Sequence, residues 1–317
     1  MTTTATSKPL ISAGWLRVLI FCIVHLLLIV TGFLLMTAII QHLKGETADV
    51  SQLMKGELLW AVILMSFVGS LMITYVFRRW VDRKSFLSLG LNYRNHGTDM
   101  IAGISLAVSI LGLATLILWA TGHVKWMDII FDGRTLMIAL GNLLLVAFYE
   151  EIIFRGYLLS NLLESFNKWI ALGISAGLFT LFHMGNPGFD FFSVVNIFAI
   201  GILLGMNYIY TRNLWFSISF HFAWNFLEGP VLGYPVSGIH FDTLLQTEMK
   251  GDDQITGGVF GLEGSAIVMA LCIIAIMALY FILQKKMNQQ IQPVADLKKD
   301  LLPQKISQHP QPTPDRK

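Results

Sequence analysis

Long runs of apolar residues, separated by short polar segments, dominate the chain and determine its predicted elements. A helix that crosses a bilayer needs about 20 mostly apolar residues. Eight runs approach that length, at 15–41, 57–77, 99–121, 135–160, 168–185, 190–210, 213–228 and 265–284. The pattern therefore predicts an all-α, polytopic membrane protein with about eight transmembrane helices.

Composition supports a membrane protein and excludes a soluble enzyme and a small disulfide-stabilised domain. Hydrophobic residues make up 55% of the chain and charged residues 13%, about half the ~25% that is usual in soluble domains. Such a chain could not cover its own surface in water. The two cysteines, Cys22 and Cys272, lie in separate apolar runs and form no disulfide framework or metal-ligand spacing. Lysine and arginine are scattered rather than clustered, so we expect no contact with nucleic acid. The apolar runs predict contact with membrane lipid instead.

The distribution of basic residues predicts the orientation in the membrane. If the N-terminus is cytoplasmic, five of the 22 lysines and arginines fall in outer segments and the other 17 fall in inner ones, as the positive-inside rule requires. We therefore expect a cytoplasmic segment at 1–14, a membrane domain at 15–284 and a disordered cytoplasmic tail at 285–317. Residues 229–264 are predicted as a long outer loop, and no organelle address is recognised, which favours a bacterial plasma membrane.

Two adjacent carboxylates interrupt the run LLLVAFYEEIIFRGYLL. A charge at the centre of a spanning helix costs at least ~2.5–3.5 kcal/mol, yet this predicted span contains Glu150 and Glu151, with Arg155 four residues after Glu151. At about 100° per residue, Glu151 and Arg155 share a helix face and can neutralise each other. Glu150 points elsewhere and lacks that partner. An unpaired carboxylate in a low-dielectric site is a candidate acid or base.

Other predicted spans supply compatible polar groups. His183 ends the run FTLFH, and His221 and Asn225 lie four apart in HFAWN. Lipid-exposed helices could not hold so many polar groups, so they should converge on an intramembrane polar cavity. Glu150 lies near the inner end of its span and His183 near the outer end of its own. They can meet only if the Glu150 helix continues through 157–163 or the helices tilt strongly.

Each of these groups also has a structural interpretation when taken alone. The Glu151–Arg155 pair could be a packing clamp, His183 a satisfied interior histidine, and Asn225 an interhelical hydrogen-bonding residue. Two small-residue pairs, Gly173/Gly177 and Gly201/Gly205, predict close helix contacts. Three further asparagines are interpreted as interhelical hydrogen-bonding residues: Asn142, Asn196 and Asn207. The histidines of other spans, loops and the tail are interpreted as incidental: His25, His42, His123, His240 and His309.

In order, the three motifs resemble those of a known family. Glu150-Glu151-x-x-x-Arg155, Phe179-x-x-x-His183 and His221-x-x-x-Asn225 are similar to the motifs of the CAAX protease and bacteriocin-processing (CPBP) intramembrane protease family. That family includes the type II CAAX prenyl endopeptidases. The resemblance covers about 145–230, the motif core of an eight-helix protease domain.

The resemblance implies peptide-bond hydrolysis within the membrane, on a membrane-associated peptide or protein. Glu150 and His183 would hold and deprotonate a water molecule, and His221 and Asn225 would donate to the oxyanion. Glu151 and Arg155 would position these groups. The family is described both as zinc-dependent and as metal-free. A zinc ion, if present, would be held by Glu150, His183 and His221, but we favour a mechanism with no cofactor.

Two other functions remain as alternatives to an endopeptidase. One is a non-catalytic membrane partner, such as a bacteriocin-immunity protein, but a degenerate relative should have lost one of the six polar groups. The other is a proton-coupled transporter, which the missing internal repeat disfavours.

Overall fold

The computed structural model describes residues 8–44, 56–94 and 96–301 of the chain. Within these residues a helix forms at each of the eight apolar runs. The long helices are α1 (Gly14–Lys44), α2 (Gly56–Val76), α3 (Gly97–Ala120), α4 (Gly133–Glu151), α5 (Lys168–His183), α6 (Phe191–Thr211), α7 (Trp215–Phe226) and α8 (Ala266–Leu301). The predicted helical, polytopic class is confirmed.

Shorter elements connect these helices. A two-stranded antiparallel sheet pairs β1 (Val124–Ile129) with β2 (Leu245–Met249), with an irregularity at Met127; the all-α prediction had not included it. Single turns form at Phe77–Val81, Phe86–Leu89, Leu227–Val231, Asp253–Thr256, Gly258–Phe260 and Leu262–Gly264. The last helix extends past residue 284 to Leu301, whereas residues 1–7 and 302–317 of the predicted terminal segments lie outside the described residues.

Six described helical stretches are long and apolar enough to cross a membrane, so the protein is an integral, multi-pass membrane protein. They are Gly14–His42, Ala61–Val81, Gly97–Ala120, Gly133–Leu162, Phe191–Thr211 and Ala266–Gln289. The other two helices fall short, because α5 has 16 residues and α7 has 12, which the π-helical turn Leu227–Val231 extends by five. At 1.5 Å per residue they measure at most about 24 and 25 Å, against a hydrocarbon core of about 30 Å. The count of eight spans is not confirmed.

The helix that contains the adjacent glutamates is longer than α4 alone. Asp132 caps its start by accepting hydrogen bonds from the backbone of Arg134 and Thr135. After Glu151 the chain continues as a π-helix over Ile152–Leu159 and one more turn at Ser160–Leu162. Every residue of the π-helix is buried, so this wider segment forms the centre of the larger hydrophobic core.

The α5–α6 contact depends on glycines of α6. A Cβ at Gly201 would lie 3.0 Å from the Cα of Ala176, and one at Gly205 would lie 2.5 Å from Cδ1 of Leu172. A Cβ at Gly173 or Gly177 would meet no atom within 4 Å. The close approach therefore requires the small residues of only one of the two helices.

The segment between α7 and α8 folds back onto the helices instead of extending outwards as a simple loop. Asn196 of α6 donates hydrogen bonds from its amide to the carbonyl oxygens of Glu263, at 2.7 Å, and Ser265, at 2.9 Å. Gly261 has φ +94°, and a Cβ there would lie 1.9 Å from the Pro235 carbonyl oxygen. A glycine is required at this point, and it allows Glu263 to enter the interior.

A cluster of charged side chains joins three elements away from the glutamate pair. Asp82 is fully buried and pairs with Arg17 of α1, at 3.1 Å, and with Arg78, at 2.9 Å. Arg17 and Lys84 also form ion pairs with Glu164, just beyond the long α4 helix. The cluster fixes α1 and the end of α2 against the end of that helix.

Candidate active site

One cavity, with a volume of about 270 Å³, lies among α1, α2, α4, α5, α6, α7 and the segment that follows α7. Much of its wall is apolar, and α6 contributes only apolar side chains, but polar side chains converge on it from all the other sides. The polar lining consists of His25, Ser66, Ser70, Tyr149, Glu150, His183, Asn186, His221, Asn225, Ser237 and Glu263. Four of the six residues singled out in the sequence therefore face a single cavity.

The other two residues, Glu151 and Arg155, lie directly behind the cavity wall. Oε1 of the fully buried Glu151 accepts hydrogen bonds from Nη1 of Arg155, at 2.6 Å, and from Nδ1 of His221, at 2.9 Å. The Arg155 guanidinium also lies 4.3 Å above the ring of Phe179. The pair inferred from the i, i+4 spacing is present, and it also orients His221.

Glu150 is the carboxylate that faces the cavity. Its Oε1 accepts a hydrogen bond from the Tyr149 hydroxyl at 3.3 Å. Its Oε2 is buried without a hydrogen-bond partner among the described residues and lies 3.8 Å from Nε2 of His221, too far for a hydrogen bond. A carboxylate with one unsatisfied oxygen beside a cavity is available to bind a proton or a water molecule.

The two histidines are held in defined orientations. Nδ1 of His183 donates to the backbone carbonyl of Phe179 at 2.8 Å, which leaves Nε2 as the nitrogen with a free lone pair. Nδ1 of His221 must be the donor to Glu151, because a carboxylate only accepts. Nε2 of His221 then carries a proton only when the ring is positively charged, and the two neighbouring glutamates stabilise that charge. Asn225 lies one helical turn after His221 on the same cavity wall.

The sequence predicted that Glu150 and His183 lie at different depths in the membrane. The long helix Gly133–Leu162, of which α4 is the first part, removes this difference. Because the helix continues without interruption from Gly133 to Leu162, Glu150 lies near its middle and not near its end. The short α5 helix then places His183 at the same cavity. Continuation through 157–163 was one of the two arrangements that the sequence allowed.

Two residues that sequence reasoning did not select also line this cavity. Glu263 is 4% exposed, and its carboxylate accepts a hydrogen bond from the Ser237 hydroxyl. Burial raises the pKa of Glu263, while His183 and His221 act in the opposite direction. His25, interpreted as incidental, lies on the opposite wall with Nε2 at 2.8 Å from the Ser70 hydroxyl.

The geometry provides no ready zinc site in the part of the chain that the structure describes. No group of three or more His, Cys, Asp and Glu side chains there is arranged to hold a metal ion. The two histidines donate from Nδ1 to Phe179 and Glu151, an orientation that zinc-bound histidines also adopt, so their orientation does not separate the two mechanisms. In this arrangement Glu150, His183 and His221 are not assembled around one metal position.

A multi-pass helical membrane protein with a buried glutamate, histidine and asparagine site is the class that the fold and the cavity define. Residues 132–227, which include all three motifs, match the model of a family described as type II CAAX prenyl endopeptidase Rce1-like. The resemblance to the CAAX protease and bacteriocin-processing family is thereby confirmed, and that family is one of proteases. No curated protein and no solved structure matches the chain.

Proposed function

We propose that this protein is an intramembrane endopeptidase that hydrolyses a peptide bond of a membrane-associated peptide or protein. The observation that carries the proposal is the convergence of Glu150, His183, His221 and Asn225 on one cavity. An acid–base pair and a pair of hydrogen-bond donors around one space are what amide hydrolysis needs. The match to a family of endopeptidases over 132–227 supports the same reaction.

Glu150 and His183 activate water in this mechanism. The unsatisfied Oε2 of Glu150 and the free Nε2 of His183 accept hydrogen bonds from a water molecule bound between them. Glu150 takes a proton from this water as its oxygen attacks the scissile carbonyl carbon. The same proton is then donated to the departing amine nitrogen, so Glu150 returns to the carboxylate form and no proton is gained or lost.

His221 and Asn225 stabilise the negative charge that develops on the carbonyl oxygen. Each can donate one hydrogen bond, from a protonated Nε2 and from the amide nitrogen respectively. Donors of this kind contribute about 3–4 kcal/mol each in a site that excludes water. Glu151 contributes by holding His221 in place and by stabilising its positive charge, and Arg155 holds Glu151 in position through their ion pair.

The proposal includes a metal-free mechanism, cytoplasmic termini and a bacterial plasma membrane. The first point is supported by the chemistry of the groups that face the cavity, because a glutamate and a histidine can together activate water without a metal. The excess of lysine and arginine in one set of connecting segments supports the second.

Purified full-length protein, incubated in lipid nanodiscs with a library of membrane peptides, tests the proposal. We expect cleavage by the wild type and by Glu248→Gln, a surface glutamate paired with Lys250. We expect less than a few per cent of that activity in Glu150→Gln, with unchanged helicity and melting temperature. Retained activity in Glu150→Gln would exclude Glu150 as the base.

Exhaustive dialysis of the same preparation against a strong chelator tests the metal-free mechanism. We expect activity to survive. Stoichiometric zinc that is lost together with activity, and that restores activity when added back, would contradict the expectation. His183 and His221 would then be ligands.

A further inference from the structure

Four carboxyl groups lie in or beside the cavity. Glu150 and Glu263 line it, Glu151 is buried next to Glu150, and Glu228 is buried next to Glu263. Within the described residues, the ion pairs to these four carboxylates come from Arg155 and His221, and both reach the Glu150–Glu151 side. The Glu228–Glu263 side has no such cation.

Hydrogen bonds fix the position of Glu263 on that side of the cavity. Its backbone carbonyl accepts a hydrogen bond from Asn196, and its carboxylate accepts one from Ser237. Glu263 lies in the short turn Leu262–Gly264, which the close approach at Gly261 brings against the helices. The carboxylate thus forms part of the wall of the cavity that His183 and His221 also line.

Glu228 adds a second, independent observation. Its side chain is fully buried. The Trp224 indole and the backbone N–H groups of Leu262 and Glu263 are its nearby donors, but none forms a hydrogen bond of normal geometry with Oε1 or Oε2. Glu228 lies close enough to Glu263 for their charges to interact. An unpaired buried carboxylate is costly and calls for a proton or a positively charged group nearby. Its neighbour Trp224, which also lines the cavity, has a buried indole N–H without a partner.

We propose that Glu263, supported by Glu228, binds a positively charged nitrogen of the peptide substrate beside the scissile bond. The inference rests on the proposed function and adds a substrate class to it. The bound group is an ammonium or guanidinium, from a lysine or arginine side chain or from the peptide N-terminus. Its N–H groups donate to Glu263, which has one hydroxyl donor of its own. Its apolar stem packs against Val236, Ile239 and Phe241 of the same wall.

Paired peptides that differ only in one charge test this proposal. Each pair carries lysine or norleucine, which has an uncharged side chain of similar length, at one position around the cleaved bond. We expect wild-type protein to prefer the lysine peptide at one position by about 10- to 100-fold in kcat/KM, the range of a hydrogen bond to a charged group. A parallel pair with a free or acetylated N-terminus shows whether the charge is that of the terminus.

The variant Glu263→Gln removes the charge and keeps an acceptor for Ser237. We expect the preference to fall to about one, to be partly retained in Glu263→Asp, and to be unchanged in Glu248→Gln. Because the preference is a ratio measured on one preparation, it does not depend on the fraction of protein that is folded. If Glu263→Gln cleaves neither peptide, Ser237→Ala, which loses the hydroxyl donor to Glu263, takes its place and should also lose the preference.

The outcomes separate this inference from the proposed function. Cleavage of charged and uncharged peptides at equal rates by the wild type overturns the cation site and leaves the endopeptidase intact. A lysine preference that persists in Glu263→Gln also overturns it. Failure of folded wild-type protein to cleave any member of the library overturns both.

Discussion

Glu151 connects the charged and the reactive parts of the site, because one of its oxygens accepts from both Arg155 and His221. Its other oxygen, like Nη2 of Arg155, is buried without a partner. A carboxylate so placed depends on its counter-ion. Loss of Arg155 should therefore lower the stability of the protein first, and the catalytic rate as a consequence.

We expect Arg155→Ala to lower both stability and activity. Removal of one partner leaves the Glu151 charge buried, which costs about 3–5 kcal/mol, and frees the His221 ring to reorient. Thermal unfolding in detergent, followed by circular dichroism, measures the first effect. Arg134→Ala, at an exposed position of α4, is the control. A fully stable but inactive Arg155→Ala would show that Arg155 acts on substrate.

Asn225 should affect rate more than binding. If it donates to the oxyanion, Asn225→Ala should reduce kcat by ~10²–10³ with KM largely retained, since that hydrogen bond strengthens only in the transition state. Steady-state kinetics on one cleaved peptide measure the split. Asn142→Ala, which removes a side chain bonded to its own helix, should have little effect. A raised KM with unchanged kcat would instead place Asn225 in ground-state binding.

At the scale of single residues, the sequence predicted site residues whose contacts lie close by along the chain. It missed those whose contacts lie far away along the chain. Glu151 and Arg155 are four residues apart, and His221 and Asn225 likewise. Glu263 reaches the cavity only because Asn196, 67 positions earlier, holds its backbone. His25 bonds to Ser70, 45 positions later. A glutamate just before an apolar run, in the Gly-rich stretch GGVFGLEGS, was the available signal for Glu263.

Among the elements, the π-helix after Glu151 has the largest effect on the site. Periodicity predicted a continuous helix there but could not reveal its wider turn, because π- and α-helices have similar composition. The ion pair between Glu151 and Arg155 joins the last residue of α4 to the π-helix. The Ser175 hydroxyl of α5 donates a hydrogen bond to the Phe154 carbonyl of the π-helix at 3.0 Å. The π segment is thereby fixed to the helix that presents His183.

The two small-residue pairs should respond oppositely to substitution. Gly201→Val should destabilise the α5–α6 contact, because even a Cβ would lie 3.0 Å from the Ala176 backbone. Gly173→Ala should be neutral or stabilising by about 0.4–1 kcal/mol, since it meets no atom and reduces the freedom of the unfolded chain. Melting temperatures in one detergent compare them. Equal destabilisation by both would contradict the assigned contact.

Hydropathy located a helix at each of the eight predicted runs of the described chain, and six of these helices are long and apolar enough to span a membrane. The run 213–228 continues past both ends of α7, because the turn Leu227–Val231 is apolar as well. A hydropathy profile detects apolar composition, not where an α-helix ends. A hydropathy profile therefore does not show the turns before and after α7.

For the molecule as a whole, the cluster of Arg17, Arg78, Asp82, Lys84 and Glu164 predicts sensitivity to acid. Burial raises the pKa of Glu164, but the ion pairs with Lys84 and Arg17 lower it by more, so it lies below the ordinary value of 4.5. The unfolded state then binds more protons than the folded state as pH falls. The stabilisation is present above 4.5 and is lost as pH falls through the pKa of the folded protein.

Thermal unfolding between pH 7 and pH 3 measures this dependence. We expect Glu164→Gln to melt at a lower temperature than wild type at neutral pH and to show a smaller further loss on acidification. Glu248→Gln should follow the wild type. Identical profiles for wild type and Glu164→Gln would show that the cluster makes no net contribution.

The overall class, by contrast, followed from composition and run length alone. What composition could not supply is the path of residues 229–264, because a Gly-rich segment is compatible with many conformations. Its path depends on tight contacts such as that between Gly261 and Pro235. The cavity is closed on one side by this segment, so its full lining was beyond prediction.

The shortness of α5 has a consequence for the lipids around it. This helix presents His183 and exposes Ile170, Ile174 and Leu181, yet it measures only about 24 Å. The acyl chains beside it must compress, or polar headgroups and water must move inward, at a cost of fractions of a kcal/mol per ångström of mismatch. A local depression of the bilayer would shorten the path for a water molecule to the cavity. Acyl-chain length then becomes a variable of the reaction, set by the host membrane as much as by the protein.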